Sequence, residues 1–390
     1  MKVTDIKVFL VNVYRTNWVF VKVLTDEGLH GIGEATLEHR ETTVAEAVLE
    51  LKRDLVGKDP HNIEKFYADA YRDSYWRGGP VLMSALAGVE QALWDIKGKA
   101  LGVPVYQLLG GKCRDRIPCY ANGWFAPAKT PDEFAAKAKE AVALGYKGLK
   151  WDPFGSAWQQ ISKQELKTAH ACVQAVVEAV GSEVDILIEA HGRFNIPSAV
   201  KIAQMLEEFD ILWFEEPIPP DNKEGLAEVK RRSRVSIAAG ERMYSRYDYA
   251  ECFRLSCVDY VQPDVSHMGI MELRKIGAMA ECHHIPICPH NPAGAVANAA
   301  TLQLAACMPN FAFLETMILD VPYRRELTTE VVDVVEGAML IPDKPGLGLD
   351  INEDALAEHP YKPVTLKHYV GTLTNIRPAD ATSIATNLGG

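Results

Sequence analysis

Three short apolar runs in the middle of the chain each end in a glutamate, and these glutamates are equally spaced. They are Glu189, Glu215 and Glu241, which lie 26 residues apart. A period of about 25 residues is that of a buried strand followed by a helix. In a barrel built from such units, the carboxyl ends of the strands meet at one mouth. The spacing therefore predicts that the three carboxylates lie close together at the mouth of a barrel.

Three carboxylates in contact oppose one another's ionisation, because each negative charge raises the pKa of its neighbours. A hard divalent cation removes this conflict, and Mg²⁺ prefers oxygen ligands while keeping positions open for water or substrate. The alternative is three unrelated glutamates at strand ends, and the equal spacing makes this the weaker interpretation. We therefore predict a metal site formed by Glu189, Glu215 and Glu241 and occupied by Mg²⁺, which Mn²⁺ could replace.

The bulk composition excludes several classes of function. The 390 residues exceed one average domain, although barrels often run beyond about 250 residues as one unit. The net charge is −11 and there is no basic run, which argues against nucleic acid and anionic membranes as partners. No apolar run approaches the roughly 20 residues that span a bilayer. The chain begins directly as a strand without a signal peptide, so we expect a cytoplasmic protein.

The eight cysteines are scattered, which predicts reduced thiols in the core of a cytoplasmic protein. The stretch from Cys282 to His290 contains two cysteines and three histidines, which makes it a candidate zinc site. The residues before Cys288 read as a buried strand, whose alternate side chains point to opposite faces. Core packing is therefore the preferred interpretation for Cys282 and Cys288.

The order of the predicted elements divides the chain into three parts. Residues 1–115 read as an α+β domain, with a β-meander up to about residue 36 and then three helices. Residues 116–325 alternate strands and helices in eight steps, which indicates an α/β barrel of the (β/α)₈ type. Residues 326–390 contain two short strands and are expected to pack back onto the first domain. The predicted barrel strands end near Asn122, Lys150, Glu189, Glu215, Gly240, Gln262, Cys288 and Leu314.

Three loops are candidates for covering a polar ligand. Residues 14–18 and 75–80 mix aromatic and cationic side chains, and residues 153–160 form an insertion at the barrel mouth. Arg15 and Trp18 are the substrate contacts predicted from the first loop. Aromatic residues half-buried beneath a loop explain the same pattern equally well.

Further polar residues lie at other predicted strand ends. Asp264 follows the sixth strand and His290 the seventh, and an aspartate beside a histidine makes it the more basic. His191 lies two residues after Glu189 and can face the same cavity. Each residue also has a structural interpretation: Asp264 as a helix cap, Glu315 as a buried ion-pair partner, a histidine as a hydrogen-bonded core residue. The second strand adds Lys150 and Asp152, and the eighth adds Glu315.

This set of groups predicts a specific chemistry. A divalent cation that binds a substrate carboxylate stabilises an enediolate, which makes the proton on the α carbon removable. His290, oriented by Asp264, would take that proton, and His191 would protonate a hydroxyl leaving the β carbon. The product is an enol that becomes a 2-keto-3-deoxy acid. Lys150 and a protonated Glu315 would hydrogen-bond the substrate carboxylate, and Asp152 is a further predicted substrate contact.

The chain resembles the enolase superfamily, in the subgroup named for mandelate racemase. The family's metal-ligand pattern matches Glu189, Glu215 in Phe-Glu-Glu-Pro and Glu241 in Gly-Glu-Arg. Its His–Asp dyad matches His290 and Asp264. The resemblance implies a modified (β/α)₇β barrel, a capping domain made from the N-terminus and the C-terminal tail, a small-molecule substrate and a homo-oligomer.

Two departures from the family pattern narrow the activity. The first ligand, more often an aspartate in this family, is Glu189 here. Lys150-Trp151-Asp152 lacks the second lysine that the racemases of the family use as a base, which argues against two-base racemisation. His191 is similar to a residue of the gluconate, galactonate and arabinonate dehydratases, so we predict a Mg²⁺-dependent aldonate dehydratase. The alternatives are an epimerase or lactone cycloisomerase acting through the same enolate, and a non-catalytic binding protein.

Overall fold

The computed structural model describes residues 1–73, 75–365 and 380–386. Its N-terminal part is a three-stranded antiparallel meander followed by helices, as the sequence predicts. The helix over residues 63–68 continues as a short π-helical turn. The strands are β1 (Val3–Asn12), β2 (Asn17–Thr25) and β3 (His30–Glu34), and the helices are α1 (Glu41–Glu50), α2 (Lys52–Leu55), α3 (Ile63–Ala68), α4 (Pro80–Leu101) and α5 (Val105–Leu108).

The meander packs closely on helix α4 because β3 carries glycine at two facing positions. A Cβ atom on Gly33 would lie 2.0 Å from the carbonyl oxygen of Gly88, and one on Gly31 would lie 2.0 Å from that of Ala92. The strand therefore rests directly on the helix backbone. Helix α4 ends at Gly102, whose φ of 69° is the left-handed conformation typical of a helix stop.

Seven strands and seven helices form the barrel, and all neighbouring barrel strands are parallel. The seventh barrel position is reduced to single bridges that Ile287 makes to Val261 and Phe311. The strands are β4 (Arg116–Asn122), β5 (Gly148–Trp151), β6 (Asp185–Glu189), β7 (Trp213–Glu215), β8 (Ile237–Ala239), β9 (Tyr260–Val261) and β10 (Leu314–Met317). The helices between them are α6 (Pro131–Ala143), α7 (Lys163–Val180), α8 (Ile196–Leu206), α9 (Lys223–Arg231), α10 (Arg246–Leu255), α11 (Val265–Cys282) and α12 (Ala295–Ala305).

Strand β10 pairs with β4 and closes the barrel, with Leu314 opposite Cys119. No helix follows the eighth strand before the tail begins, within the described part of the chain, so the architecture is (β/α)₇β with an N-terminal capping domain. This confirms the predicted fold class. The eighth strand runs on to Met317, so Glu315 lies inside it rather than after its end.

Helix starts follow the sequence signals in one case and depart from them in another. Thr130-Pro131-Asp132-Glu133 predicts a capping box, and Thr130 and Glu133 form one at the start of α6. The sequence also suggests Ser198 as the cap of a later helix, but its backbone N–H donates to the side chain of Asn195, which caps α8. The Ser198 hydroxyl instead accepts from the N–H of Ile161, because the insertion loop packs against this helix start.

Two buried glutamates of the capping domain hold it to the barrel. Glu34 accepts hydrogen bonds from the N–H groups of Gly294 and Ala297, both at 2.8 Å, at the start of α12. Glu90 on α4 accepts from two N–H groups just after Gly269, where α11 is broken. The capping domain therefore fixes the chain directly after the sixth and seventh barrel positions, where predicted site residues lie.

The C-terminal tail contacts both parts of the molecule. Strand β13 (Ala338–Leu340) pairs antiparallel with β4 of the barrel, while the ammonium of Lys22 on β2 lies 2.6 Å from Glu353 on α13 (Glu353–Glu358). Residues 366–379 and 387–390 of the predicted third segment lie outside the described residues. The remaining elements are β11 (Leu319–Asp320), a 3₁₀ turn (Arg324–Glu326), β12 (Val334–Val335), β13 (Ala338–Leu340), α13 (Glu353–Glu358), β14 (Thr382–Ser383) and β15 (Ala385–Thr386).

The cysteine prediction is wrong in two respects. Cys252 and Cys257 form a disulfide across the end of α10, with Cα atoms 5.6 Å apart, so not all cysteines are reduced. Cys288 is buried as expected, but Cys282 is exposed, because α11 ends there and its last turn faces outward. Among the described residues, no helix is both long and apolar enough to cross a membrane.

Candidate active site

The three equally spaced glutamates meet at the carboxyl ends of consecutive barrel strands. Glu189 and Glu215 are direct neighbours in the register of β6 and β7, and Glu241 lies two residues after β8. One carboxylate oxygen from each lies within 4.8 Å of the others. Because these parallel strands are neighbours and end at the same edge of the sheet, the sequence spacing becomes spatial proximity.

The chemistry of this cluster fits a hard divalent cation. The Oε2 atom of Glu189 is buried and has no hydrogen-bond partner among the described residues; the nearest ammonium, that of Lys150, is 3.6 Å away. Burial and the neighbouring charge of Glu215 raise the pKa of Glu189 well above its usual range. All three groups offer oxygen, the donor that Mg²⁺ and Mn²⁺ prefer. The residues therefore suit a divalent metal, and they could hold one together.

Lys150 on β5 lies at the centre of the cavity floor. Its ammonium donates to Glu215 at 2.7 Å and lies 2.9 Å from the carboxylate of Glu315. Burial opposes the ionisation of Glu215, but Lys150 outweighs it and lowers the pKa of Glu215 to about 2. The pKa of Lys150 is raised well above its usual range, because the surrounding carboxylates overcome the cost of burying its charge. The floor is thus a buried charge network centred on one cation.

Glu315 is a buried ion-pair partner, which was the alternative to a role in hydrogen-bonding the substrate. One oxygen accepts from Asn122 at 2.6 Å and lies close to Lys150, and the other accepts from the N–H of Asn291 at 3.1 Å. Each of these partners is a donor. The predicted role as a protonated donor to substrate is therefore not supported, because Lys150 and the two asparagines take up both oxygens.

Replacing Lys150 by methionine is expected to destabilise the metal-free protein by about 3 kcal/mol, because it leaves buried carboxylates without their cation. Added Mg²⁺ should restore much of this loss, since a dication neutralises the same groups. Lys99→Met is the matched control: Lys99 pairs with Asp95 and Asp350 in the capping domain, away from the cluster. Urea unfolding with and without Mg²⁺ measures both variants. If both variants lose the same free energy of unfolding and Mg²⁺ changes neither loss, the expectation is wrong.

The His–Asp dyad lies on the next strands of the barrel mouth. The Nδ1 atom of His290 is 2.7 Å from Oδ2 of Asp264, and the other oxygen of Asp264 accepts from the N–H of Ser266. Asp264 is therefore both a partner of His290 and the N-cap of α11. Burial lowers the pKa of His290, but the charge of Glu241 and the hydrogen bond to Asp264 outweigh it and raise this pKa to about 10.

A second histidine–carboxylate pair faces the cavity from the third strand. The Nδ1 atom of His191 is 2.8 Å from Asp152, whose other oxygen accepts from Arg193 at 2.5 Å. Burial would raise the pKa of Asp152, but the hydrogen bond to His191 and the charge of Arg193 lower it. Both oxygens of Asp152 are thus engaged within the protein. Its geometry is that of a residue that orients His191, and because Asp152 also lines the cavity, the predicted substrate contact stays a prediction.

A cavity of about 270 Å³ opens above these groups. Glu215, Asp264 and Glu315 are not among its lining residues; they lie beneath those that are. Trp18 is 2% exposed and packs in the core below Arg324, so its predicted substrate contact is wrong: its ring points inward from β2. The predicted site residues that do line the cavity are Arg15, Lys150, Asp152, Glu189, His191, Glu241 and His290.

The other two predicted cover loops do not line this cavity. Tyr75 and Trp76 are 79% and 78% exposed, and neither belongs to its wall. Residues 153–156 line a separate neighbouring cavity that shares Asp152 and Phe125 with the main one.

Several residues in or near the cavity are not predicted from the sequence. His267 lines the cavity, with Nδ1 2.9 Å from the hydroxyl of Ser84 on α4. It lies three residues after Asp264, a spacing that places two side chains on one helix face and could have indicated it. Arg193 does not line the cavity but donates to Asp152, the partner of His191. It lies two residues after His191, as His191 does after Glu189, and this spacing could have indicated it. Glu38, Arg242 and Tyr244 also line the cavity, and their positions depend on contacts between distant parts of the chain.

Two family models match the chain. Residues 2–110 match the mandelate racemase / muconate lactonizing enzyme N-terminal domain, and residues 133–355 match the enolase C-terminal domain-like family. A crystal structure of a mandelate racemase/muconate lactonizing enzyme-like protein from Rubrobacter xylanophilus has a TM-score of 0.84 and 34% identity. That likeness covers 93% of this chain and 98% of the other.

Two curated relatives are similar over most of their length. A D-gluconate dehydratase from Thermoproteus tenax is 37% identical over 348 residues, which are 88% of this chain and 70% of the relative. A D-galactonate dehydratase from Pectobacterium atrosepticum is 38% identical over 362 residues, which are 90% of this chain and 94% of the relative. Together with the matching family models and the capped (β/α)₇β barrel, these likenesses show that the chain belongs to the mandelate racemase / muconate lactonizing enzyme family of the enolase superfamily.

Proposed function

We propose that this protein is a Mg²⁺-dependent dehydratase of an aldonate, forming a 2-keto-3-deoxy acid. The observation that carries the proposal is a pair of imidazoles, His191 and His290, each with its own carboxylate partner. They stand at the third and seventh of eight barrel positions, which are opposite each other across the mouth. The carboxylate cluster lies between them in the order of strands. Dehydration takes a proton from one side of the substrate and a hydroxyl from the other, which requires two such groups.

Each residue has a proposed task in the elimination. A cation held by Glu189, Glu215 and Glu241 would supply Lewis-acid stabilisation of the negative charge that develops on the substrate carboxylate. His290 takes the α-proton on Nε2, because Asp264 occupies its Nδ1 atom. His191 gives a proton from Nε2 to the departing hydroxyl, because Asp152 occupies its Nδ1 atom. Lys150 places a positive charge beneath the developing oxyanion.

The class of enzyme follows from the relatives. D-gluconate and D-galactonate dehydratases are hydro-lyases, and the chain is an enzyme of this kind. The names of these relatives support an aldonate as the substrate. Epimerisation of the same enolate needs a second base on the opposite face, and Asp152 stands where the racemases of the family carry the lysine that serves as this base. A non-catalytic binding protein would have no use for two oriented imidazoles beside the carboxylate cluster.

Mg²⁺ is expected to raise the unfolding temperature by several degrees, because a ligand of the native state at 100 times its Kd adds about 2.7 kcal/mol. Differential scanning fluorimetry with increasing MgCl₂ measures the shift. Glu215→Gln should reduce it strongly, because a candidate ligand loses its charge. Glu183→Gln makes the same change at an exposed position and should leave the shift intact. Equal shifts in both variants would exclude the cluster as the metal site.

The reaction itself is tested by incubating the protein and Mg²⁺ with a panel of aldonates and aldarates. Formation of a 2-keto-3-deoxy acid, detected as a new α-keto acid with loss of water by mass, supports the proposal. Turnover of none of these acids by metal-loaded protein contradicts it.

A further inference from the structure

The wall of the cavity contributed by the capping domain contains an ion pair that the proposed reaction does not use. Arg15, in the turn between β1 and β2, pairs with Glu38, in the loop between β3 and α1. Both side chains are largely shielded, at 14% and 26% exposure, and both line the same cavity as Lys150 and His290. Because the pair belongs to the capping domain and the carboxylate cluster to the barrel, we expect the pair to face the part of a substrate that lies away from the cluster.

The position of the pair is fixed from two sides. The second terminal nitrogen of Arg15 donates to the carbonyl oxygen of Pro292 at 2.8 Å, just after His290 on the barrel. Beneath it, Glu41 on α1 accepts from the hydroxyl of Thr16 at 2.7 Å and so joins the two loops. Each terminal nitrogen of Arg15 thus has a partner within the protein and carries a second hydrogen with which it can donate to a ligand. A ligand meets a preorganised pair rather than a single mobile arginine.

The backbone beside each member of the pair is strained. Tyr14, directly before Arg15, has a φ of 65°, and His39, directly after Glu38, has a φ of 63°. Non-glycine residues adopt such angles at a cost, and the surrounding structure must hold them there. The folded protein therefore maintains this geometry against local preference.

We propose that Arg15 and Glu38 select substrates whose distal end is a neutral hydroxyl group and exclude those with a second carboxylate. The inference rests on the proposed function and names its substrate class: aldonates rather than aldarates. A hydroxyl donates to the Glu38 carboxylate and accepts from Arg15 at once, so it fits a fixed ion pair.

A second carboxylate does not fit this pair. To reach Arg15 it must displace Glu38, which then remains shielded beside a like charge without its arginine. The cavity lining also contains the acidic residues Asp152, Glu189 and Glu241, which repel an added negative charge. Like-charge juxtaposition in a desolvated site discriminates strongly between ligands of the same shape.

The test compares an aldonate and the aldarate of the same hydroxyl configuration with Mg²⁺-loaded protein. The natural protein is expected to favour the aldonate in kcat/KM by about 100-fold. Glu38→Gln removes the charge and keeps an oxygen that accepts from Arg15, so it should narrow this preference at least about tenfold, mainly by lowering KM for the aldarate. Glu46→Gln makes the same change on the exposed side of α1 and should leave the preference unchanged.

The outcomes separate this inference from the proposed function. If the natural protein turns over neither acid of any configuration, the proposed function fails. If it turns over aldonates but Glu38→Gln leaves the ratio unchanged, the selection by this pair is wrong while the dehydratase stands. A natural protein that prefers the aldarate overturns the inference without any variant.

Discussion

Replacing His290 by asparagine is expected to abolish both dehydration and exchange of the substrate α-proton with solvent. Asparagine can still donate to Asp264, so the cap of α11 and its neighbours should persist, but an amide cannot accept the proton. General-base catalysis contributes up to about 10⁴-fold, and because no later step proceeds without it, we expect a loss of at least about 10³-fold in kcat. The measurements are keto acid formation and deuterium incorporation at the α carbon in D₂O.

The same substitution at an exposed histidine controls for effects on folding that are unrelated to catalysis. His284 is exposed and has a φ of 58°, which asparagine tolerates, so His284→Asn should keep full activity. The Mg²⁺-dependent rise in unfolding temperature should be similar in His290→Asn and the natural protein. If His290→Asn still exchanges the α-proton at the natural rate, another group is the base.

Replacing His191 by asparagine is expected to separate the two halves of the reaction. The φ of His191 is 50°, again a conformation that asparagine adopts, and its amide can donate to Asp152. We expect dehydration to fall by at least about 100-fold, because no acid protonates the leaving hydroxyl. Exchange at the α carbon should continue, because His290 still takes the proton and returns a deuteron.

The signature of His191→Asn is therefore recovered substrate that carries deuterium, with little keto acid. The same experiment with His290→Asn should recover unlabelled substrate, so each variant serves as the other's control. Normal dehydration by His191→Asn would remove His191 from the mechanism. Loss of exchange together with dehydration would show that the two histidines do not divide the work as proposed.

The sequence predicted the barrel and the clustering of its glutamates well because both depend on local periodicity. Strand ends at Asn122, Glu189 and Glu215 are those observed, and the predicted end at Gly240 is one residue beyond Ala239. In parallel strands of similar length the last residue is always at the same edge, so position along the chain becomes position in space. The assignment of catalytic and metal-binding roles to these residues stays a prediction that the variants above test.

The predictions that could not be made correctly from the sequence depend on contacts between separate elements. The loop context of Trp18 predicts a ligand contact, but the direction of its ring follows from pairing of β1 with β2 and packing below Arg324. The spacing places Asp152 in the correct cavity, but its partners His191 and Arg193 come from another strand and could not be predicted. Asn195 rather than Ser198 caps α8, and the Ser198 hydroxyl accepts from Ile161 of the adjoining loop.

Thus the chain by itself determined the barrel, the order of its strands and the gathering of Glu189, Glu215 and Glu241 at one mouth, since these depend on residue spacing within repeated local units. Only the tertiary structure decided which partner each polar side chain takes: Lys150 with Glu215 and Glu315, His191 with Asp152, and Arg15 with Glu38. These pairs join residues from separate elements. A buried charge must be paired, and its partners are the groups that the fold brings close, which no local pattern specifies.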